Sequence, residues 1–166
     1  MKFKFEHKFD VSVEDLEEAM FHEDLPAFLV DQMPSLKEMK VLEREDGDAV
    51  TKRKVRYVPV PLIKKVGPKK VPPEAMIWVE HSEYDKGARK MSFDNVPTHP
   101  KVANLMTNKG TIELRSRGAG KSERVMSGEL KVKVPLLGRV AEKIIFKTAG
   151  KVIEEEAEAL KKFLNR

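Results

Sequence analysis

The chain has 166 residues, 40% of them hydrophobic and 36% charged, with a net charge of +5 and no cysteine. That size and balance suit one globular domain over 1–166, and the missing cysteines remove disulfides, thiolate metal sites, iron–sulfur ligation and a cysteine nucleophile. No apolar run approaches the roughly 20 residues that span a bilayer, and the start MKFKFEHKFD alternates instead of forming an apolar leader, so a cytoplasmic protein without a transmembrane segment is expected.

Residues 2–9, KFKFEHKF, alternate without a fault. This predicts a half-buried strand with Phe3, Phe5, His7 and Phe9 on its inner face. Ser12 opens SVED, a serine with an acid soon after, and two short helices follow in VEDLEEAMF and EDLPAFLVDQM, with Pro26 in the first turn of the second. From about residue 35 the pattern turns to strands. SLKEMKVLERE and DAVTKRKVRYV flank the turn Asp46-Gly47-Asp48, and AMIWVEHSEY and RKMSFDNV flank Asp85-Lys86-Gly87. A short piece near 103–107, a turn at Asn108-Lys109-Gly110, TIELRSR, a turn at 118–120 and SERVMSGELKVKVP complete the strands. From Leu136 onward a single long helix is expected. Arg139, Lys143, Lys147 and Lys151 mark its wet face, with Leu137, Ala141, Ile144, Ile145, Thr148, Val152, Leu160 and Phe163 on the opposite arc.

Between two of these strands lies PVPLIKKVGPKKVPP, residues 59–73, which holds four of the five excess positive charges. Joining strands of one sheet, it cannot separate domains. Three readings stand: a solvated loop, a lid over a pocket mouth, or contact with an anionic membrane surface through Leu62 and Ile63 beside Lys64, Lys65, Lys69 and Lys70. Nucleic-acid binding by the same lysines is disfavoured, because no aromatic side chain accompanies them and the rest of the chain is nearly neutral.

One sheet with one apolar face must cover that face, and one amphipathic helix is the available cover. The order of strand, two short helices, about six more antiparallel strands and a long helix resembles the α+β helix-grip fold of the START-like (SRPBCC) superfamily, which includes the birch pollen allergen family and polyketide cyclases. The stretch VKVPLLGRVAEKII, with Pro135, Gly138 and Glu142, is similar to the strand-to-helix junction of an uncharacterised family in that superfamily. The resemblance implies a curved sheet of about 6–7 strands wrapped around the C-terminal helix, with a hydrophobic cavity between them. Its lining here comprises Phe5, His7, Phe9, Trp78, Phe93, Leu114, Met126, Leu130, Val132, Ile145, Ala149, Val152 and Glu156. It implies non-catalytic binding of a lipid or other hydrophobic small molecule, as carrier, transfer protein or sensor; a monomer without cofactor is expected.

Two polar residues stand out among apolar neighbours. His7 shares a face with phenylalanines and is either hydrogen-bonded in the core or an anchor for a ligand. Glu156 projects into the apolar arc of the long helix, so either the helix end is exposed there or the carboxylate meets a partner or ligand. RGAGKS, 117–122, lacks the first glycine of a phosphate loop and precedes a strand, so it reads as a hairpin turn. The histidines at 7, 22, 81 and 99 have no metal-ligand spacing, and no serine sits in a nucleophile elbow. No catalytic constellation emerges. The alternative is an enzyme of the polyketide cyclase or dehydratase type, with His7 as the first acid–base suspect.

Overall fold

The computed structural model covers Met1–Arg166. Strand β1 (Lys2–Phe9) leads to helix α1 (Val13–Met20), whose N-terminus is capped by Ser12: the hydroxyl accepts from the Asp15 N–H at 3.1 Å. Helix α2 (Leu25–Gln32) carries Pro26 in its first turn, where no helical N–H is lost. Then come β2 (Leu36–Asp46), β3 (Val50–Pro59), the two-residue strands β4 (Lys65–Val66) and β5 (Lys69–Lys70), β6 (Trp78–Asp85) and β7 (Lys90–Pro97). The short helix α3 (Pro100–Ala103), β8 (Met106–Ser116), β9 (Ser122–Val132) and α4 (Gly138–Leu164) complete the chain. Seven strands form one sheet in the order β1-β9-β8-β7-β6-β3-β2, every neighbouring pair antiparallel. The architecture is the α+β helix grip expected from the order of elements.

The period of two decides what the sheet buries. Phe9, Tyr84, Met91, Phe93, Ile112 and Leu114 all face inward and join Val13, Leu16, Leu25, Leu29, Leu160 and Phe163 in one packed core. This core lies beneath α1, α2 and the last turns of α4. Leu16 and Leu160 are completely buried, each stabilising the fold by roughly 2 kcal/mol. Towards the start of α4 the cover thins: Ile144, Ile145, Thr148, Ala149 and Val152 are only half-buried.

The β9–α4 junction explains its own residues. A Cβ at Gly138 would stand 2.5 Å from the Val132 carbonyl oxygen, so the chain closes there only with glycine. Glu142 accepts the Val132 N–H at 2.9 Å and faces the N-terminal ammonium at 3.7 Å.

Two local expectations need correction. Asn108-Lys109-Gly110 is no turn; β8 runs straight through it, pairing Lys109 with Glu129 and Gly110 with Gly128. The turn-forming residue types are overridden by a close approach of two strands, for a Cβ on Gly128 would collide with the Lys109 carbonyl oxygen and the Phe3 ring at 2.5 and 2.6 Å. The β7–β8 connection is made by α3 instead. Residues 59–73 are also more ordered than a loop, since β4 and β5 pair through Lys65–Lys70 and Val66–Lys69.

Gly150 is different. A Cβ there meets the Phe5 ring at 3.7 Å, an ordinary contact. Gly150→Ala should therefore raise stability by up to about 1 kcal/mol through helix propensity, whereas Gly128→Ala should lower it by about 1–3 kcal/mol through overpacking. Urea denaturation of the two variants checks both signs.

Candidate functional site

Arg124 lies on the inner face of β9 with only 2% of its side chain exposed. Its guanidinium donates to both carboxylate oxygens of Glu156 on α4, at 2.8 and 2.5 Å. Burial works against the arginine's charge, but the facing carboxylates outweigh it and hold its pKa above the ordinary value. His7, across the ladder from Arg124, completes the cluster. Its Nδ1 lies 3.4 Å from Arg124 Nη2 and its Nε2 lies 3.0 Å from Glu154. Arginine can only donate, so Nδ1 accepts and Nε2–H donates to the carboxylate. Both ring nitrogens are thus engaged by the chain, and Glu156 has its partner.

Beyond this cluster the inner face turns polar. Arg53, Glu80, Asn95 and Asn108 share the parity of buried neighbours Val55, Ser82, Phe93 and Ile112, so all four point inward. Arg53 Nε, Asn95 Oδ1 and Asn108 Oδ1 are buried without a hydrogen-bond partner. Burial raises the pKa of the Glu80 carboxyl; Arg53 pulls against that and Glu156 adds to it. Burial likewise drives the Tyr57 phenol well above its ordinary pKa, helped by Glu80. Tyr57 and Trp78 stack at 4.9 Å with planes 9° apart. Yet Tyr57, Trp78, Glu80, Asn95 and Asn108 all keep part of their surface accessible.

A surface depression of about 630 Å³ lies elsewhere, between the α1–α2 link and the β2–β3 edge. Met20, Phe21, Met39, Val41, Arg44 and Arg53 line it. Arg53 lies 4.6 Å from the centre of the Phe21 ring. No three His, Cys, Asp or Glu side chains converge as a metal site.

Among the residues singled out from sequence, Phe9, Phe93 and Leu114 lie in the packed core, and Leu130 is buried beside Asn108. Phe5 stacks on Phe146 of α4 at 5.8 Å. Phe5, Trp78, Met126, Val132, Ile145, Ala149 and Val152 are half-buried. Tyr84 donates to Glu17 of α1 at 2.7 Å and closes the core end. The β4–β5 hairpin sits at the other end, where a Cβ on Gly67 would stand 3.2 Å from Leu137, at the start of α4. Nearby, Leu136 is fully exposed at φ 64°. Arg53, Glu80, Asn95, Asn108 and Arg124 were missed, although strict alternation from Tyr57, Trp78, Phe93, Ile112 and Met126 reaches each of them.

An antiparallel sheet packed on a long C-terminal helix, with two short helices after its first strand, defines the helix-grip fold. The chain belongs to the DUF2505 family, a protein of unknown function, whose profile matches residues 4–164. Similar solved structures include TTHA0849 from Thermus thermophilus, at 20% identity over 99% of this chain and 97% of that one, with a TM-score of 0.69. The Zhui aromatase/cyclase from Streptomyces sp. R1128 is 12% identical over 100% and 94%, with a TM-score of 0.66. A START superfamily protein from Mycobacterium smegmatis is 14% identical over 99% and 97%, with a TM-score of 0.58. These likenesses establish the fold. No curated protein matches the chain in sequence.

Because Glu80 has a raised pKa in the fold, its contribution to stability is complete below the unfolded value near 4.5 and is lost as pH rises through the folded value. Glu80→Gln removes that loss. The variant should be more stable than the parent at neutral pH and converge with it near about pH 4. Denaturation midpoints across that range check the convergence.

Proposed function

We propose that the protein binds a lipid or other apolar small molecule, without chemistry, in a chamber between the inner face of the sheet and α4, as a carrier, transfer protein or sensor. The observation that carries this reading is the uneven closure of the inner face. Tyr84, Met91, Ile112 and Leu114 are sealed at 5% exposure or less. Two or three steps of two residues along the same strands, Trp78, Asn95 and Asn108 keep accessible surface on the helix side of the sheet, as does Tyr57, paired with Trp78 on β3. Protein interiors are close-packed, so aromatic side chains left half-covered in mid-sheet suit a space kept for an occupant. Removing a ligand's apolar body from water there is favourable by roughly 25 cal/mol per Å². The similar fold of a START superfamily protein supports the reading by analogy alone.

A second reading, an enzyme of the polyketide cyclase or dehydratase type in the same chamber, is favoured by Glu80. Its carboxyl is held towards the protonated form and has no ion-pair partner, which suits a general acid. His7 is less suited, with both nitrogens engaged.

The β4–β5 hairpin is the lid in this account and the membrane-facing end. Leu62 is 44% exposed and Leu136 fully exposed, and Lys64, Lys65, Lys69 and Lys70 are exposed beside them. Apolar tips among lysines suit an anionic bilayer, where each lysine adds about 1 kcal/mol.

Native mass spectrometry of protein purified from its own source should find an apolar adduct, and delipidated protein should gain thermal stability with fatty acids, sterols or quinones. No adduct and no shift across that panel overturn the reading. Separately, Leu62→Ser/Ile63→Ser should keep the parent's melting temperature but lose co-sedimentation with phosphatidylglycerol vesicles. Unchanged sedimentation removes the membrane contact.

A further inference from the structure

The depression between the α1–α2 link and the β2–β3 edge holds one positive charge that the chain leaves without a partner. Of its two arginines, Arg44 is already committed. Its Nε donates to both carboxylate oxygens of Asp46, at 3.2 and 3.0 Å, and its Nη1 donates to the Phe21 carbonyl at 2.7 Å. Arg53 joins no hydrogen bond and no ion pair. Its guanidinium lies over the Phe21 ring, 4.6 Å from the centre. Its Nε is buried without a partner; the two Nη nitrogens are not sealed in this way, and the side chain lines the depression. Glu80 feels the Arg53 charge but forms no ion pair with it. Neither of the other ionisable groups in the lining pairs with Arg53: His22 Nδ1 accepts the Asp24 N–H at 3.1 Å, and Glu23 is exposed.

Around this guanidinium the wall is apolar. Met20, Phe21 and Leu25 face it from the helical side, and Met39 and Val41 from β2. A volume of about 630 Å³ lies within the range of small-molecule sites, and methionine side chains adapt to varied shapes. We propose that the depression is a second binding site, which takes a monocarboxylate carried on an apolar body, the carboxylate on Arg53 and the body against Met20, Phe21 and Met39. The site shares none of the residues of the chamber beneath α4 and does not depend on it. The planar guanidinium offers a carboxylate parallel N–H donors, a pairing stronger than a neutral hydrogen bond, and the Phe21 ring beneath supports it. One negative charge is what the site can match. Asp46 neutralises Arg44, so a dianion would face Glu23 with Arg53 as its sole counter-charge.

The test sets naphthoate and decanoate against their methyl esters, which keep the apolar bodies and lose the charge. Isothermal titration calorimetry at neutral pH and low salt should show at least one acid binding about tenfold tighter than its ester, an advantage that added sodium chloride erodes. In protein labelled at its methionine methyls, that acid should shift the Met20 and Met39 signals and leave the indole signal of Trp78, the only tryptophan, unmoved. Arg53→Gln should abolish the advantage while the ester still binds. Arg53→Lys should keep part of it, because the charge remains without the fork. No binding of either acid, equal affinities of acid and ester, an advantage that survives in Arg53→Gln, or shifts at Trp78 without shifts at Met20 and Met39 overturn the site. Naphthyl phosphate binding more tightly than naphthoate overturns the single-charge assignment. The chamber is decided separately, by the adduct and the fatty acid, sterol and quinone panel. The acid–ester comparison and the methyl shifts are read on the parent protein, so they hold whether or not the variants fold.

Discussion

One buried ion pair, Arg124 of β9 with Glu156 of α4, decides where the long helix lies on the sheet. A charge held at 2% exposure is tolerable only when its partner meets it squarely, and here both carboxylate oxygens do. His7 extends the pair to Glu154, so β1, β9 and α4 are joined through four side chains. Losing one partner of such a pair typically costs about 3–5 kcal/mol, because the other charge is left buried. The cluster also divides the interior. On one side α1, α2 and the end of α4 seal an apolar core; on the other the same strands carry polar and aromatic residues under thinner cover.

The electrostatics join the two sides. Glu156 neutralises Arg124 and at the same time raises the pKa of Glu80 and of Tyr57. Burial is the larger cause of both shifts, and Glu156 adds to it, so the Glu80 carboxyl and the Tyr57 phenol both stand above their ordinary pKa values. The same fold appears in an aromatase/cyclase and in a START superfamily protein, so the fold alone does not decide between binding and chemistry.

Much of the fold was legible because its signals are periodic. KFKFEHKF, the Asp46-Gly47-Asp48 turn and the lysine stripe of α4 each predict one element, and the structure has each in place. Asn108-Lys109-Gly110 misled because glycine there serves strand contact with Gly128, which only the register reveals. The candidate site was less legible for a related reason. Arg53, Glu80, Asn95 and Arg124 sit at inward positions of their strands, yet their chemistry reads as surface. His7 and Glu156 attracted notice as polar residues among apolar neighbours; the partner that joins them, Arg124, lies more than thirty residues from Glu156 in sequence and emerges only when β9 pairs with β1.

The proposed binding function requires a space between α4 and the polar strip. A high-resolution crystal structure of the delipidated protein measures it most directly. The expected result is a continuous internal cavity bounded by Tyr57, Trp78, Glu80, Asn95 and Asn108, holding ordered solvent or a bound molecule. Side chains of α4 packed onto those residues, with the carboxamides hydrogen-bonded to the chain and no space between, would contradict it.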